Sequence, residues 1–231
     1  TAKGLLCINK PVGWSSFDLV RLLRRKLHVK KIGHTGTLDP FASGVMVLLV
    51  GREYTRQAPL FNRCDKQYQA RLTLGAVTNT YDNTGELEEI PHTPPTKEEI
   101  AEVLKQFQGT IQQIPPMFSA KKQQGKRLYT LARQGIEVER PPVPVTVETL
   151  CLDYSYPYLD IQVSCSAGTY IRSIGHDIGQ LLGCGAYLSS LIRTVCGTHT
   201  LDDCIDGLLL KDPHATLEEY LLTTDHDANT T

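Results

Sequence analysis

The apolar positions of this chain recur at two different periods, and the places where the period changes mark its elements. Leu5-Leu6-Cys7-Ile8 is a short apolar run stopped by Lys10-Pro11-Val12-Gly13, which predicts a strand ending in a turn. Ser15 or Ser16 can cap a helix running to about His28, with Phe17, Val20, Leu23 and Leu27 on one face. Val45 to Val50 is apolar without interruption and reads as a buried strand, whereas Gln67 to Leu74 alternates and reads as a half-exposed one. Thr78 to Gly85 is turn-rich. Thr96-Lys97-Glu98-Glu99 is a capping box that opens a helix to about Phe107, ended by Gln108-Gly109.

Ile114 to Met117 is irregular, and Leu128 to Arg133 predicts a short helix ended by Gly135. Arg140-Pro141-Pro142-Val143-Pro144 reads as an extended connector to two strands, Val145 to Leu152 and Leu159 to Cys165. Gly168-Thr169-Tyr170 leads into a helix to about Leu182, and residues 223–231 read as a frayed tail. There is no internal repeat and no βαβ regularity. The fold predicted is α+β, a mixed, mostly antiparallel sheet with flanking helices.

Composition adds three constraints. The chain of 231 residues is long enough to bury a substantial core as one large domain or a domain with an appendage. No apolar run approaches the roughly 18–20 residues that span a bilayer, and the first apolar run is too short for a signal peptide. The seven cysteines are odd in number and contain no Cys-x-x-Cys pair, so neither a disulfide framework nor a zinc site is expected. These features predict a cytoplasmic protein without a membrane segment.

The formal net charge of −1 conceals a marked asymmetry. Residues 1–140 carry 21 Lys+Arg against 13 Asp+Glu, a balance of +8, and residues 141–231 carry 3 against 12, a balance of −9. Such a division hints at a polyanionic partner. Arg21, Arg24, Arg25, Lys26, Lys30 and Lys31 form one basic cluster, and Lys121, Lys122, Lys126 and Arg127 a second.

The segment from Gly33 to Val45, Gly-His-Thr-Gly-Thr-Leu-Asp-Pro-Phe-Ala-Ser-Gly-Val, places one carboxylate, Asp39, in a glycine- and proline-rich turn directly before the apolar strand. Proline biases Asp39 away from the α region, and loops at the ends of rigid elements commonly present catalytic side chains. The segment resembles the catalytic motif of the TruB family, tRNA pseudouridine synthases that act on the T-loop uridine. Four further segments resemble the same family in the same order. They are Leu6 to Ser16, then Lys66-Gln67-Tyr68 with Leu74-Gly75 and Thr78 to Gly85, then Pro115 to Lys121 with Gly125 and Tyr129, and Cys165 to Ser173. With Leu191-Ile192-Arg193-Thr194, the resemblance covers about residues 4–200.

The resemblance implies the pseudouridine synthase fold and a set of roles. Asp39 matches the catalytic aspartate. Tyr68 matches the tyrosine that stacks on the flipped base and is implicated in proton transfer, and Arg172 matches the arginine that pairs with the catalytic carboxylate. His34 matches the histidine that packs against the RNA and helps extrude the uridine. Tyr170 and Leu191 match residues lining the base pocket. Asp82 either helps position the site or closes the threonine-rich turn. The implied reaction breaks an N-glycosidic bond, turns the base and joins C5 to the sugar without redox change. It therefore requires no cofactor and no metal, and whether Asp39 acts as nucleophile, as charge stabiliser or in proton transfer at C2′ stays open.

The partner implied is the T-arm of tRNA, handled by a monomer that needs no protein partner. Three positions depart from the family's usual residues: Asn9 and Asn79 stand where Asp is more common, and Ala167 where Lys is frequent. Family members often carry a C-terminal PUA-type domain. Residues 1–202 are expected to form the catalytic domain, and 203–231 only a short C-terminal extension rather than a complete PUA domain. The His-x-Glu and Pro-Cys-x-x-Cys pattern of zinc deaminases and the Gly-x4-Gly-Lys-Ser/Thr loop of nucleotidases are both absent from the sequence.

Overall fold

A computed structural model describes residues 2–123 and 125–223. In chain order the elements begin with β1 (Gly4–Lys10), α1 (Ser16–Leu27), β2 (Ile32–His34) and β3 (Ser43–Val50). Two one-turn helices, α2 (Arg52–Thr55) and α3 (Ala58–Phe61), precede β4 (Lys66–Leu74) and the small pair β5 (Ala76–Thr78) and β6 (Leu87–Glu89). Next come α4 (Lys97–Leu104), β7 (Gln108–Gln113), the ribbon β8 (Lys122–Gln123) and β9 (Lys126–Arg127), and α5 (Leu128–Arg133). The long hairpin β10 (Val143–Ser155) and β11 (Tyr158–Cys165) leads to α6 (Ile171–Leu182), β12 (Ala186–Cys196), β13 (His199–Thr200) and β14 (Ile205–Asp206).

The chain divides into two compact units, one of residues 1–68 and 192–231 and the other of residues 69–191. In the first unit β1 pairs antiparallel with β3 from Gly4↔Val50 to Lys10↔Gly44, while β14 runs parallel on the far side of β1. The end of β12 adds to β3 in parallel at Ile192↔Ser43 and Arg193↔Gly44. Val45, Val47 and Leu49 pack with Leu5, Cys7, Tyr54 and Cys196. The intervening Met46 and Leu48 are fully buried as well, which is why β3 shows no polar alternation. Ser15 caps α1 through a capping box with Asp18, and His28 closes it in the left-handed conformation.

In the second unit β10 pairs antiparallel with β11 on one side and with β7 on the other. Strand β4 lies beside β11. From Gln69 onward it belongs to this unit, and its alternate residues Ala70, Leu72 and Leu74 are buried, as the period-two pattern requires. Thr96 and Glu99 form the reciprocal cap of α4. The α+β class and the mostly antiparallel pairing agree with the expectation.

Three local expectations need correction, and one strand was not foreseen. Phe17 is 61% exposed, and Leu19 takes the buried position on α1 instead. The helix opened by Thr96 ends at Leu104, not Phe107, because Gln108–Gln113 is a strand whose ladder partner is β10. The connector before β10 is shorter than expected, since the strand already begins at Val143. The eleven residues of β12 carried no prediction: Ser189, Ser190 and the buried Arg193 interrupt its apolar pattern. The tail expected over 223–231 lies, from residue 224, outside the described residues. No helix among the described residues is long and apolar enough to cross a membrane.

Candidate active site

Asp39, His34 and Tyr68 belong to the first unit, and Arg172, Tyr170 and Leu191 to the second. Asp39 is half-buried on the loop between β2 and β3, flanked by the buried Leu38, Phe41 and Ala42. The loop is tied down residue by residue. Ser16 Oγ accepts from the Leu38 amide at 3.0 Å and faces the Leu38 carbonyl at 3.2 Å. The Ala42 amide donates to the Asp39 carbonyl at 3.0 Å, and the Gly13 amide donates to the Pro40 carbonyl at 2.7 Å.

Two buried cations complete this frame. Lys10 is 0% exposed, and its ammonium donates to the carbonyls of Trp14 at 2.6 Å, Pro11 at 2.8 Å and Pro40 at 3.4 Å. Burial pulls its pKa down to about 8, against the opposing field of Asp39, which favours the charged form. Arg193 is 1% exposed and donates from Nε to the Val45 carbonyl at 2.7 Å and from a terminal nitrogen to the Gly36 carbonyl at 3.2 Å.

Glycine is required at two points, one in the loop and one at the start of β3. Gly36 holds φ +92° where its carbonyl turns to Arg193. Gly44 holds φ +115°, and a Cβ there would lie 2.2 Å from the Arg193 carbonyl oxygen. The Gly44 amide donates to Asn9 Oδ1 at 3.1 Å, so the asparagine in place of the more common aspartate keeps the acceptor this contact uses.

His34 Nδ1 is buried without a hydrogen-bond partner among the described residues. Burial, and then the positive charge of Arg193, lower the His34 pKa, which leaves the ring neutral at pH 7. Tyr68 is a buried residue of β4. At the end of β12, Cys196 faces Cys64 with sulfurs 3.6 Å apart, within hydrogen-bonding distance. The contact with Cys64, reinforced by Arg193, favours the thiolate at Cys196. All seven cysteines are free.

In the second unit the buried Arg172 is the second residue of α6. Its guanidinium donates to the Thr80 carbonyl at 3.1 Å and the Phe118 carbonyl at 2.9 Å. Asp82 is also buried, with Oδ2 4.0 Å from Arg172 Nε. Its other oxygen accepts from Thr80 Oγ1 at 2.8 Å, the Thr84 amide at 2.9 Å and Thr84 Oγ1 at 2.6 Å. Asp82 thus both closes the threonine-rich turn and faces the guanidinium. The start of α6 has no cap from its own side chains. Instead Gln113 brackets Tyr170, accepting from its amide at 2.8 Å and donating to its carbonyl at 3.0 Å.

Tyr170 is half-buried and Leu191 is buried. Tyr81, held at φ +66°, stacks on His176 with ring centroids 3.9 Å apart. Among the described residues, no group of three or more His, Cys, Asp or Glu side chains is placed to hold a metal ion.

A family model for the TruB family pseudouridylate synthase N-terminal domain matches residues 24–171. The chain is 55% identical to tRNA pseudouridine synthase B of Protochlamydia amoebophila over 223 residues, covering 96% of this chain and 85% of that protein. It is 50% identical to tRNA pseudouridine synthase B of Chlamydia trachomatis serovar L2 over 227 residues, covering 98% and 92%. The chain belongs to the TruB family.

Among solved structures, a chain in the crystal structure of a Cbf5-Nop10-Gar1 complex superimposes with a TM-score of 0.69 at 26% identity. That match covers 94% of this chain and spans 58% of the other. Membership gives the family segments a physical meaning. The N-terminal segment supplies Asn9, Lys10 and Ser16 to the Asp39 loop, and the central segment supplies the Phe118 carbonyl to Arg172. Sequence reasoning assigned no role to Lys10 or Arg193, and offered Ser16 only as an alternative helix cap, a place that Ser15 takes. The one available signal was that each lies inside a family-like segment although its type is charged or polar in an apolar context.

Proposed function

We propose that this protein isomerises uridine to pseudouridine in the T-loop of tRNA. The observation that carries this reading is near-full-length identity, 55% over 96% of the chain, with a protein named tRNA pseudouridine synthase B. In the reaction the N1–C1′ bond breaks and the C5–C1′ bond forms. C5 loses a proton and N1 gains one, so atoms and electrons balance without a cofactor. Asp39 meets the developing positive charge at the sugar, as nucleophile, as stabilising carboxylate or by proton transfer at C2′. The pinned loop supports that role, because a carboxylate fixed beforehand costs no reorganisation during the reaction.

Arg172 supplies the positive charge that favours an ionised carboxylate. Tyr68 offers an aromatic face for the base and a hydroxyl for proton transfer. His34 packs, as a neutral ring, against the RNA while the uridine leaves its stack, and Tyr170 and Leu191 line the base pocket. The same proposal takes residues 1–202 as the catalytic domain and 203–231 as an extension. It places the enzyme in the cytoplasm as a monomer with no obligatory protein partner.

The test is pseudouridine formation in a T-arm hairpin by wild type and Asp39→Asn side by side. Wild type is expected to turn over, and the variant to lose more than about 10³-fold in rate while still binding RNA. Equal turnover would reduce Asp39 to a turn residue. Tight binding without turnover by wild type would replace the isomerase with a tRNA-binding protein.

A further inference from the structure

The ribbon β8–β9 and the segment before β10 enclose a cavity of about 120 Å³ in the second unit. Its lining is Lys121, Lys122, Gln123, Leu128, Arg140 and Pro141. Three of these are cations and none is a carboxylate. The lining between them is mostly apolar, and the pocket opens to solvent on the side of the exposed Lys122. The ribbon is fixed by the Leu128 amide donating to the Lys121 carbonyl at 2.8 Å. Gln123 Nε2 reaches the Glu139 carbonyl at 2.8 Å and so holds the ribbon against the residue preceding Arg140.

Arg140 is the unusual member. Its side chain is 13% exposed, yet its Nε–H is buried with no hydrogen-bond partner among the described residues. A terminal nitrogen lies 3.5 Å from Glu137, whose own side chain is 81% exposed. Such an exposed ion pair is weak, and it leaves the buried Nε–H without an acceptor among the described residues. A buried donor without an acceptor is costly unless a ligand completes it. At about 30 Å³ per water, the cavity holds on the order of four waters, about what the four oxygens of a phosphate group would displace.

We propose that this pocket binds one backbone phosphodiester of the RNA substrate, received by the Arg140 guanidinium and flanked by Lys121 and Lys122. The proposal rests on the reading of the protein as an RNA-modifying isomerase. A guanidinium matches two phosphate oxygens with two parallel N–H bonds, and the lysines add point charges. The phosphate belongs near the reacting nucleotide. Arg172 donates to the Phe118 carbonyl at 2.9 Å, three residues before Lys121 of the pocket's lining, so the candidate catalytic arginine and the pocket share one segment of this unit.

The experiment measures hairpin affinity across a salt series for wild type, Arg140→Gln and Arg140→Lys, with thermal melts as the folding control. Arg140→Gln is expected to bind about tenfold more weakly at low salt and to lower the log–log salt slope by about 0.7–0.9, the loss of one phosphate contact. Arg140→Lys is expected to recover the slope but only part of the affinity, because charge returns without the fork. Hairpins carrying one neutral methylphosphonate are then scanned through the loop. Wild type is expected to lose affinity at one linkage near the target uridine where Arg140→Gln loses nothing further.

An unchanged slope in a folded Arg140→Gln protein would overturn the pocket. So would a scan in which no linkage overlaps with the substitution, and the part of that scan made on wild type does not depend on a variant folding. The isomerase reading fails by a different result, absence of pseudouridine in a hairpin that wild type binds.

Discussion

Around Asp39 buried cations point at backbone carbonyls; around Arg172 a buried anion, two hydroxyls and an amide form the support for a cation. In the first unit Lys10 and Arg193 give their donors to Trp14, Pro11, Pro40, Val45 and Gly36, so what they fix is the path of the chain. In the second, Asp82 is held by Thr80 and Thr84 and stands opposite the arginine, so what it fixes is a side chain. A carboxylate on a loop is placed by placing its backbone. A long guanidinium side chain has more rotatable bonds and needs partners along its own length. The comparison implies that damage to the first frame is felt mainly as stability and damage to the second mainly as turnover, with Lys10 the exception because its charge also acts on Asp39.

Arg193→Leu is the strongest way to break that contrast. It removes the donors that the Val45 and Gly36 carbonyls receive and is expected to cost about 3 kcal/mol, measured as a lower urea midpoint at unchanged m-value. A loss below about 1 kcal/mol would show that the loop holds itself. Asp82→Asn keeps an acceptor for the Thr80 and Thr84 hydroxyls but removes the charge facing Arg172. It is expected to lower turnover about tenfold while costing only about 1 kcal/mol of stability. A mainly thermodynamic effect would make the two frames alike.

The pH dependence sharpens the comparison with a smaller effect. Lys10 has a folded pKa of about 8, below the ordinary lysine value of 10.5. Between those values the unfolded chain binds more protons than the folded one, so this residue's contribution to stability rises with pH across that window. Turnover moves the other way. The ammonium beside Asp39 is lost as pH rises through about 8, and the charged fraction falls to about a quarter by pH 8.5. A roughly fourfold decline in turnover from this group is therefore expected, read from a pH–rate profile. It should vanish in Lys10→Met, and persistence of the same limb would assign it to another residue.

Much of this was legible in the chain. The caps at Ser15 and Thr96, the continuous run of β3 and the alternation of β4 are local signals, and local signals survive in one dimension. Strand β7 was not legible because most of its residues are exposed and its identity as a strand comes from its pairing with β10. Strand β12 was hidden by the very residue that matters most in it: a buried arginine reads, in sequence, as a surface charge. Phe17 shows the converse, an aromatic residue at helical spacing that faces solvent.

The sequence alone determined the family and, through it, Asp39, Tyr68, Arg172, His34, Tyr170 and Leu191 as candidates. Motif identity is a property of residue order, and local caps and periods depend on neighbours within a few positions. Only the tertiary structure decided that Lys10 reaches the Pro40 carbonyl 30 residues away and that Arg193 reaches the Val45 carbonyl 148 residues away. It likewise turned Asp82 toward Arg172 and closed three cations around the Arg140 pocket. The reason is physical. A buried charge is tolerable only where its partners are, and those partners are carbonyls and carboxylates brought together by strand pairing across long sequence separations.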